Sequence, residues 1–305
     1  MRRILFVKTS SLGDVVHHLP AVSDAARRFP EAAIDWVVEE AFAEVASMHP
    51  AVRRVIPVAT RRWRRALWRP SVWSEAARFR AQLRDEAYDA VVDTQSLLKS
   101  ALIASAARGT KHGLDRASAR EPLAARFYDV VHPVAKGLHA VERNRRLTAL
   151  ALGFEPSLPL DYGLKRGSAG AEPYAVFLTM TSRDDKLWPE ARWIELGRAL
   201  GMRVRLPWGS ETERARAERV ASGIGAAQVL PRMGLTALGA QLAGAQRVVG
   251  LDTGLTHLAA ALGVRTLGIY CGSDPVLTGL HAPGARNLGR AGAPPSAAEV
   301  REALA

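Results

Sequence analysis

The residues MRRILFVKTSSLGD (1–14) contain the pattern that most clearly indicates the fold class. The apolar run Ile4–Val7 is short and suits a buried strand. Small and polar residues follow it, and a helical pattern begins at Asp14. Such a strand-to-helix turn exposes backbone N–H groups at the carboxyl edge of a sheet. The turn lacks both G-x-G-x-x-G and G-x-x-x-x-G-K-[ST], so the dinucleotide and P-loop fingerprints are excluded.

The same alternation of short apolar runs and helical patterns continues through the first half of the chain. It predicts strands at Ile4–Val7, Ile34–Val38, Val52–Val58 and Ala90–Asp93, with helices over Asp14–Phe29, Ala41–Met48, Ser74–Glu86 and Ser96–Ala107. Near-continuous apolar strands between helices are typical of a parallel sheet that is covered on both faces. We therefore predict a doubly wound, Rossmann-like α/β domain over residues 1–165.

A second domain of the same class is predicted after a proline- and glycine-rich linker between Gly153 and Ala171. Its strands are predicted at Tyr174–Leu178, Arg203–Leu206, Ala227–Val229, Arg247–Gly250 and Thr266–Tyr270, and its helices at Pro189–Leu200, Glu211–Ala221, Leu235–Ala243 and Leu255–Leu262. We assign this domain to residues 172–293. A terminal helix with Ser296 as N-cap is predicted over residues 294–305, and we expect it to pack back on the first domain. Ligands of open α/β sheets bind outside the carboxyl ends of the strands, so we expect a cleft there.

The composition excludes several classes of protein. Of 305 residues, 48% are hydrophobic and 24% charged, which is too apolar for a disordered chain. The single cysteine, Cys271, excludes a disulfide scaffold and a multi-cysteine metal cage, and it fits a reducing compartment. The apolar run after Met1 is too short for a signal peptide, and no stretch approaches the ~20 apolar residues that span a bilayer. We expect a cytoplasmic protein.

The charge is strongly basic and unevenly placed. Lys and Arg number 42 and Asp and Glu 30, giving a formal net charge of +12. Residues 1–166 hold 27 basic and 18 acidic groups, a net +9, whereas residues 167–305 hold 15 and 12, a net +3. Only six of the basic residues are lysine, and the arginine fork suits planar anions such as carboxylate and phosphate. Because a codon bias toward arginine would give the same count, the uneven placement is the more informative observation.

Asp14 is the first candidate functional residue, since it opens a helix just after the first strand. A carboxylate at this edge can act as a general base that accepts the proton of a hydroxyl. The competing interpretation is an acid that caps the helix and interacts favourably with its dipole. The residues alone favour the capping role.

Two strand-to-helix turns of the second domain suit a phosphorylated ligand. In TSRDDKLWP (residues 181–189), two hydroxyls and a lysine can donate hydrogen bonds and positive charge to a phosphate. In LDTGLTH (residues 251–257), a glycine stands at the start of a helix whose N–H groups can hold a pyrophosphate. Asp252 would then meet neutral hydroxyls, and we interpret His257 as a packed, hydrogen-bonded histidine.

Other acidic residues of the second domain have both structural and functional interpretations. Glu211 follows PWGS (residues 207–210) and could accept the hydroxyls of a ribose, but an acid in the first turn of a helix fits equally well. Asp184 and Asp185 stand between Arg183 and Lys186, which indicates a solvated charge cluster. Two adjacent aspartates alone do not make a metal site.

A basic and aromatic segment, here called the Arg/Trp segment, spans residues 60–73. It contains Arg61, Arg62, Arg64, Arg65 and Arg69 together with Trp63, Trp68 and Trp73. Such a composition is typical of contacts with anionic surfaces. Trp63 and Trp68 would lie about 140° apart on a helix, and Pro70 should interrupt one, so we predict a loop or short helices. A solvated charged face is the alternative, and nucleic acid is a weaker one because no helix-turn-helix, RNP or zinc pattern accompanies the segment.

Four stretches in a fixed order carry a family resemblance. KTSSLGD (residues 8–14), TSRDDKLWP (181–189), PWG (207–209) and DTGLTHL (252–258) together resemble the lipopolysaccharide heptosyltransferases, glycosyltransferase family 9. The resemblance covers nearly the whole chain and is nearest to the branch that adds the first heptose to Kdo. It implies the GT-B fold, in which two Rossmann-like domains face each other across a cleft. It also implies ADP-L-glycero-D-manno-heptose as donor, Kdo-lipid A as acceptor, inversion at the anomeric carbon, and neither cofactor nor metal.

The resemblance also implies roles for individual residues. Asp14 matches the catalytic base. The donor-binding positions are Thr181, Ser182 and Lys186 for the diphosphate, Glu211 for the ribose, Met233 for the adenine, Asp252 for the heptose hydroxyls, and Thr253, Gly254 and His257 beside them. The acceptor-binding positions are Ser11, Gly13, Arg61, Arg62, Arg64, Arg120, His139 and Arg143. Ser182 stands where the family is expected to have a second threonine, and the hydroxyl is kept.

Alternatives of three kinds stay open. A sibling such as heptosyltransferase II would use another acceptor, and a nucleotide-sugar epimerase would share the fold without needing an anionic-acceptor surface. A non-enzymatic protein that binds anionic membranes or nucleic acid would also explain the charge, and its binding would fall steeply with salt. The resemblance implies instead a peripheral protein at the cytoplasmic face of the inner membrane, with no nucleic-acid partner.

Overall fold

The first apolar run of the chain forms β1 (Arg3–Val7), which lies inside a six-stranded parallel sheet. The other strands of this sheet are β2 (Ala33–Glu39), β3 (Val52–Val58), β4 (Ala87–Asp93), β5 (Arg108–Leu114) and β6 (Val130–His132). Their order is β3-β2-β1-β4-β5-β6, so that β1 pairs with β2 on one side and β4 on the other. Residues 4–7 are fully buried because helices cover both faces of the sheet, which explains their unbroken apolar run.

The helices of this first sheet differ from the predicted ones where prolines occur. They are α1 (Leu12–Val16), α2 (Leu19–Arg28), α3 (Ala43–Ser47), α4 (Thr60–Trp63), α5 (Pro70–Arg84), α6 (Leu98–Ala106) and α7 (Ala140–Leu152), with 3₁₀ turns at Glu40–Phe42 and Pro122–Phe127. The single helix predicted over Asp14–Phe29 is wrong, because Pro20 has no N–H to continue it and instead lies in the first turn of α2. Pro70 likewise begins α5 rather than interrupting a helix, since its fixed φ suits the first helical position.

A second six-stranded parallel sheet repeats the same topology. Its strands are β7 (Tyr174–Leu178), β8 (Arg203–Leu206), β9 (Ala227–Val229), β10 (Arg247–Leu251), β11 (Arg265–Tyr270) and β12 (Ala285–Gly289), in the order β12-β11-β10-β7-β8-β9. Its helices are α8 (Glu190–Ala199), α9 (Glu211–Ile224), α10 (Leu235–Ala243), α11 (Gly254–Ala261) and α12 (Ala297–Leu304), with a 3₁₀ turn at Asp184–Lys186. The predicted pair of doubly wound α/β sheets is confirmed. Among the described residues, no helix is long and apolar enough to cross a membrane.

The chain divides into two units, Met1–Gly163 and Leu164–Ala305, each built around one sheet. The computed structural model describes residues 1–155, 159–167, 172–181 and 183–304. The predicted linker therefore lies partly outside the described residues. In each unit the chain winds outward from the first strand and then returns to add the fourth strand on its other side. Ligands of open α/β sheets bind at this switch point, outside the carboxyl ends of the strands, so we expect binding residues in the loops after β1, β4, β7 and β10.

The terminal helix α12 packs within the second unit. We expected it to pack on the first domain, but Ala297, Val300 and Leu304 lie in the same buried core as Trp188 and Trp193. Its apolar face meets α8 and β11, which is why it is held there. The predicted N-cap is confirmed, because the Glu299 N–H donates to Ser296 Oγ at 3.2 Å and the Ser296 N–H donates to Glu299 Oε2 at 2.7 Å.

A buried ion pair fixes α7 against α2 in the first unit. Arg145 Nε donates to Asp24 Oδ2 at 2.7 Å, and the two side chains are only 6% and 1% exposed. Removing one partner of such a buried pair typically costs about 3–5 kcal/mol, because the other charge is left uncompensated. The same helix carries Arg143 and has His139 as its N-cap, and both are predicted acceptor-binding residues.

Candidate functional site

Asp14 lies on α1, just after the carboxyl end of β1. Its Oδ2 accepts a hydrogen bond from the Ser11 N–H at 2.8 Å, and Arg120 Nη1 lies 3.8 Å from the same oxygen. Gly13 precedes it in the first turn of the helix. The Asp14 side chain is 27% exposed, so the carboxylate caps α1 and is still reachable by a ligand. The capping and general-base interpretations are therefore compatible.

The loop between β1 and Asp14 is held by Gln95, which the sequence analysis did not single out. Gln95 Oε1 accepts hydrogen bonds from the N–H groups of Thr9 at 3.1 Å and Ser10 at 3.2 Å. The Gln95 side chain follows β4 and is 1% exposed. One amide thus ties the carboxyl end of β1 to that of β4. The only sign of this role in the sequence is the polar run DTQS (residues 93–96) at the end of a predicted strand.

Gln95 is in turn fixed by Asp93, a fully buried carboxylate at the end of β4. The Gln95 N–H donates to Asp93 Oδ1 at 2.8 Å, while Tyr128 Oη and Ser100 Oγ donate to Oδ2 at 2.7 and 2.8 Å. Burial raises the pKa of Asp93 above its ordinary value, although these hydrogen bonds oppose the rise. Asp93 therefore acts as an internal anchor for the switch point of the first sheet.

Positive side chains gather near Asp14 in the first unit. Lys8 is buried at the end of β1, and its Nζ donates to the Thr94 carbonyl at 2.9 Å. Burial lowers the pKa of Lys8, while the negative charge of Asp14 raises it and the charges of Arg120 and Arg143 lower it. Burial also lowers the pKa of Arg143, and Arg120 lowers it further. These mutual effects indicate that the three positive side chains lie near one another and near Asp14.

Two predicted acceptor residues are held at the start of α7. His139 is its N-cap, and its Nδ1 accepts a hydrogen bond from the Val141 N–H at 3.2 Å. Its ring packs edge-on against His17 with 5.5 Å between ring centroids. Arg143 Nη2 donates to the Ser118 carbonyl at 2.6 Å. Both side chains thus have fixed positions before any ligand binds.

The three arginines predicted in the Arg/Trp segment have different surroundings. Burial lowers the pKa of Lys99, which donates to Ser10 Oγ at 3.0 Å, and the charges of Arg61 and Arg64 lower it further. Arg61 and Arg64 therefore lie on the same side of the first unit as the β1 loop. Arg62 instead makes ion pairs with Glu40 at 3.1 Å and Glu75 at 2.9 Å. Two carboxylates therefore already neutralise the Arg62 guanidinium.

In the second unit, Asp252 at the end of β10 is the centre of a charged cluster. Lys186 Nζ and Ser273 Oγ donate to its Oδ2 at 2.6 and 2.7 Å, and His257 Nε2 lies 3.7 Å from its Oδ1. Burial raises the pKa of Asp252, but the contacts with His257, Lys186 and Ser273 outweigh it and hold the pKa well below its ordinary value. Residues from the loops after β7, β10 and β11 therefore meet at one carboxylate. Ser273 was missed by the sequence analysis.

The start of α11 lies close against the end of β10. Thr253 is the N-cap, Gly254 is the first helical residue, and Thr256 Oγ1 donates to the Leu251 carbonyl at 2.6 Å. A side chain at Gly250 would clash with Thr256, so this close approach requires glycine. The N-terminal N–H groups of α11 consequently face the switch point of the second sheet, where an anion can bind. The buried His257 confirms the interpretation as a packed histidine.

The remaining predicted donor residues lie after neighbouring strands. Thr181 is half-buried after β7, whereas Ser182 lies outside the described residues. Met233 is half-buried in the turn between β9 and α10. Glu211 begins α9 with 79% of its side chain exposed, 3.6 Å from Arg214. Because Ser210 and Glu213 make the cap of α9, Glu211 is not needed for capping and is available to a ligand.

The acidic pair at 184–185 is a solvated charge cluster, as predicted. Arg183 Nε donates to Asp185 Oδ1 at 2.9 Å, and both side chains are more than half exposed. Across the part of the chain that the structure describes, no three His, Cys, Asp or Glu side chains converge to hold a metal ion.

Known proteins resemble the chain throughout its length. The model of glycosyltransferase family 9 (heptosyltransferase) matches residues 76–303. Lipopolysaccharide heptosyltransferase 1 of Pseudomonas aeruginosa is 52% identical over 296 residues, which cover 94% of this chain and 83% of that protein. The Escherichia coli K12 protein of the same name is 49% identical over 287 residues, which cover 91% of this chain and 90% of that protein.

Solved structures of heptosyltransferases are also similar to this chain. E. coli heptosyltransferase WaaC with ADP has a TM-score of 0.94 and 45% identity, covering 99% of this chain and 98% of that one. WaaC with ADP-2-deoxy-2-fluoro heptose has a TM-score of 0.91, 44% identity and the same coverage. E. coli heptosyltransferase II, 21% identical with a TM-score of 0.77 over 100% of this chain and 97% of that one, shares the fold.

The charged cluster predicts how stability changes with pH. Because the folded pKa of Asp252 is depressed, its carboxylate adds stability above an unfolded pKa of ~3.9, and this stability is lost as the pH falls toward the folded pKa. Lys186→Gln should raise that pKa toward its ordinary value. We expect the loss of unfolding free energy between pH 7 and pH 3 to be about 1 kcal/mol smaller than in the parent protein.

Urea unfolding followed by tryptophan fluorescence at the two pH values measures this difference. The matched control is Lys165→Gln, which removes the same charge from an exposed position of the same unit and should leave the pH dependence unchanged. An unchanged pH dependence in Lys186→Gln would contradict the assignment.

Proposed function

The chain belongs to glycosyltransferase family 9, the heptosyltransferases, and we propose that it catalyses the first heptose transfer in lipopolysaccharide inner-core synthesis, as a heptosyltransferase I. The donor is ADP-L-glycero-D-manno-heptose and the acceptor is the Kdo residue of Kdo-lipid A. The observation that carries this proposal is the identity with lipopolysaccharide heptosyltransferase 1 along nearly the whole chain. The ligands named with the matching WaaC structures, ADP and a fluorinated ADP-heptose, support the donor.

The donor is assigned to the second unit. Thr181, Ser182 and Lys186 bind the diphosphate together with the backbone N–H groups that begin α11 at Thr253 and Gly254. Asp252 accepts hydrogen bonds from heptose hydroxyls, and His257 and Ser273 support it. Glu211 accepts the ribose hydroxyls and Met233 packs on the adenine. The close Lys186–Asp252 contact supports this division, because it sets the cation for the phosphates beside the acceptor for the sugar.

The acceptor is assigned to the first unit. The anionic carboxylates and phosphates of Kdo-lipid A suit Arg120 and Arg143, which lie near Asp14 and the buried Lys8. The other proposed contacts are His139, Arg61 and Arg64. Ser11 and Gly13 offer backbone groups beside Asp14. Arg62 is retained only as a peripheral contact, since two glutamates already neutralise it. The net +9 of residues 1–166 supports peripheral association with an anionic leaflet at the cytoplasmic face of the inner membrane.

The proposed reaction is a single displacement at the anomeric carbon. A Kdo hydroxyl oxygen forms the new bond to that carbon as the bond from the carbon to the β-phosphate oxygen breaks, which inverts the configuration. Asp14 accepts the hydroxyl proton as a general base. The electron pair of the broken bond leaves with ADP, whose added negative charge is stabilised by Lys186, nearby hydroxyls and the start of α11.

The acceptor identity is tested by measuring ADP release from ADP-heptose. We expect release with Kdo-lipid A and none above background without it. Equal release with a core that already carries the first heptose would point instead to a sibling such as heptosyltransferase II. Donor consumption without any acceptor, accompanied by a changed sugar configuration, would point to an epimerase.

Asp14→Asn should remove the general base while keeping a side chain that can accept the capping hydrogen bond. We expect kcat to fall by about 10²–10⁴ with ADP binding unchanged, since the donor residues lie in the other unit. Steady-state kinetics and calorimetric ADP titration measure the two effects. Glu31→Gln, an exposed charge neutralisation in the same unit, is the control and should keep full turnover. Near-normal turnover of Asp14→Asn would exclude this residue as the base.

Gln95→Met should impair turnover without touching the substrates. The thioether keeps the length of the side chain but cannot accept the two N–H groups of the β1 loop, so Asp14 loses its fixed position. Because small displacements of a reacting group can cost up to about 10²-fold, we expect kcat to fall about tenfold with the KM for the donor unchanged. Gln95→Glu keeps the acceptor oxygen and should recover most of kcat. Equal kinetics for the two variants would contradict this positioning role.

A further inference from the structure

The Arg/Trp segment contains two kinds of tryptophan. Trp63 belongs to the interior, because its ring packs edge-on to Phe79 at 5.8 Å and its Nε1 donates to Glu75 Oε2 at 2.9 Å. Trp68 and Trp73 are 75% and 63% exposed, and Leu67 is 51% exposed. We call these three exposed side chains, Leu67, Trp68 and Trp73, the apolar tip. Side chains of this size are normally covered, so their clustering at one turn indicates a contact surface.

The apolar tip is part of an ordered turn. Trp73 Nε1 donates to the Leu67 carbonyl at 2.9 Å, which ties the two ends of the tip together. The Arg69 N–H donates to the Ala66 carbonyl at 3.0 Å, so the turn between them is closed by a backbone hydrogen bond. Val72 is buried beneath the start of α5. The exposed rings are therefore presented by a fixed backbone, and little conformational freedom is lost when they bind.

The charge around the apolar tip has one sign. Residues 60–73 contain five arginines and no acidic residue. Among the ion pairs of the described residues, those of this segment involve only Arg62. Arg65 and Arg69 are exposed on either side of Leu67 and Trp68. A partner for this surface must therefore combine an apolar layer with negative charges at its boundary.

We propose that the apolar tip inserts into the interface of an anionic bilayer, with Arg65 and Arg69 on lipid phosphates. Tryptophan is enriched at the membrane interface because its apolar ring and N–H suit the boundary between acyl chains and headgroups. Each arginine near an anionic leaflet adds on the order of fivefold to binding. The bases of single-stranded nucleic acid also stack on aromatic rings, but such stacking does not explain why Leu67 is exposed beside the tryptophans. The inference rests on the proposed function in one respect, that the acceptor is anchored in the same bilayer.

Vesicle flotation of the full chain tests the apolar tip. The vesicles contain phosphatidylcholine with or without phosphatidylglycerol. For the double variant Leu67→Ser/Trp68→Ser we expect at least about a tenfold loss of binding to the anionic vesicles. The matched control is Val276→Ser/Leu277→Ser, which removes side chains that are 73% and 42% exposed in the second unit and should bind like the parent protein. Arg65→Gln/Arg69→Gln should lose the preference for anionic vesicles.

Heptose transfer to two forms of the acceptor separates insertion from catalysis. With a deacylated, water-soluble Kdo acceptor the Leu67→Ser/Trp68→Ser variant should retain its kcat and KM, whereas with Kdo-lipid A in vesicles its KM should rise about tenfold. An unchanged melting temperature shows that the variant is folded, as expected for side chains already exposed to solvent.

Three results would overturn the proposal: parent-like vesicle binding by the variant, an equal loss of transfer to the soluble acceptor, or displacement from vesicles by a single-stranded oligonucleotide. If the parent protein floats with vesicles in a tip-dependent way but transfers no heptose to either acceptor, insertion stands and the proposed function fails.

Discussion

In each sheet the first strand along the chain pairs with the fourth, and this pairing determines which loops meet at the candidate sites. β1 pairs with β4 and β7 pairs with β10, all in parallel. Parallel strands end at the same edge, so the loops that hold Thr9 and Gln95, 86 positions apart in the first unit, lie side by side. In the first unit this brings Gln95 under the backbone that leads to Asp14. In the second unit it brings Lys186 onto Asp252. Each candidate site is thus made by the topology of one sheet.

The carboxylates at the two switch points, the buried Asp93 and the half-buried Asp252, differ in their partners and therefore in their pKa values. Asp93 receives hydrogen bonds from neutral donors, including Tyr128 and Ser100, and burial raises its pKa. Asp252 accepts a hydrogen bond from the ammonium group of Lys186, and its pKa is lowered in spite of its partial burial. A hydrogen bond from a neutral donor offsets only part of the free-energy cost of burying a carboxylate charge. The attraction of an opposite charge can be larger than that cost. Asp93 accordingly serves the architecture, while Asp252 keeps its negative charge beside a cation.

Counting places the excess of positive charge in residues 1–166, but it does not show which of the cations are already paired with acidic side chains. Arg62 belonged to the predicted acceptor set, yet Glu40 and Glu75 occupy its guanidinium. Lys8 was outside that set, yet it lies with Arg120 and Arg143 beside Asp14. The count of residues 1–166 cannot distinguish these cases, because ion pairing depends on which acidic side chains the fold brings within reach. The same holds for the tryptophans of the Arg/Trp segment, of which Trp63 turned inward and Trp68 outward.

Residue patterns alone predict the two doubly wound α/β sheets, the strand-to-helix turns at Asp14, Lys186 and Asp252, and the cap at Ser296. These features depend on local patterns of apolar, small and capping residues, which act over a few positions. The residue pattern did not predict β5, β6, β12 or α7. The runs of β5 and β12, RGTKHGL (108–114) and ARNLG (285–289), are too polar to stand out, and β6 has only three residues. The pattern also did not predict that Gln95, Lys8 and Ser273 join the candidate sites or that α12 packs in its own unit. These points depend on contacts between strands and helices that are distant in the chain and meet through the strand order, so they follow from the tertiary structure.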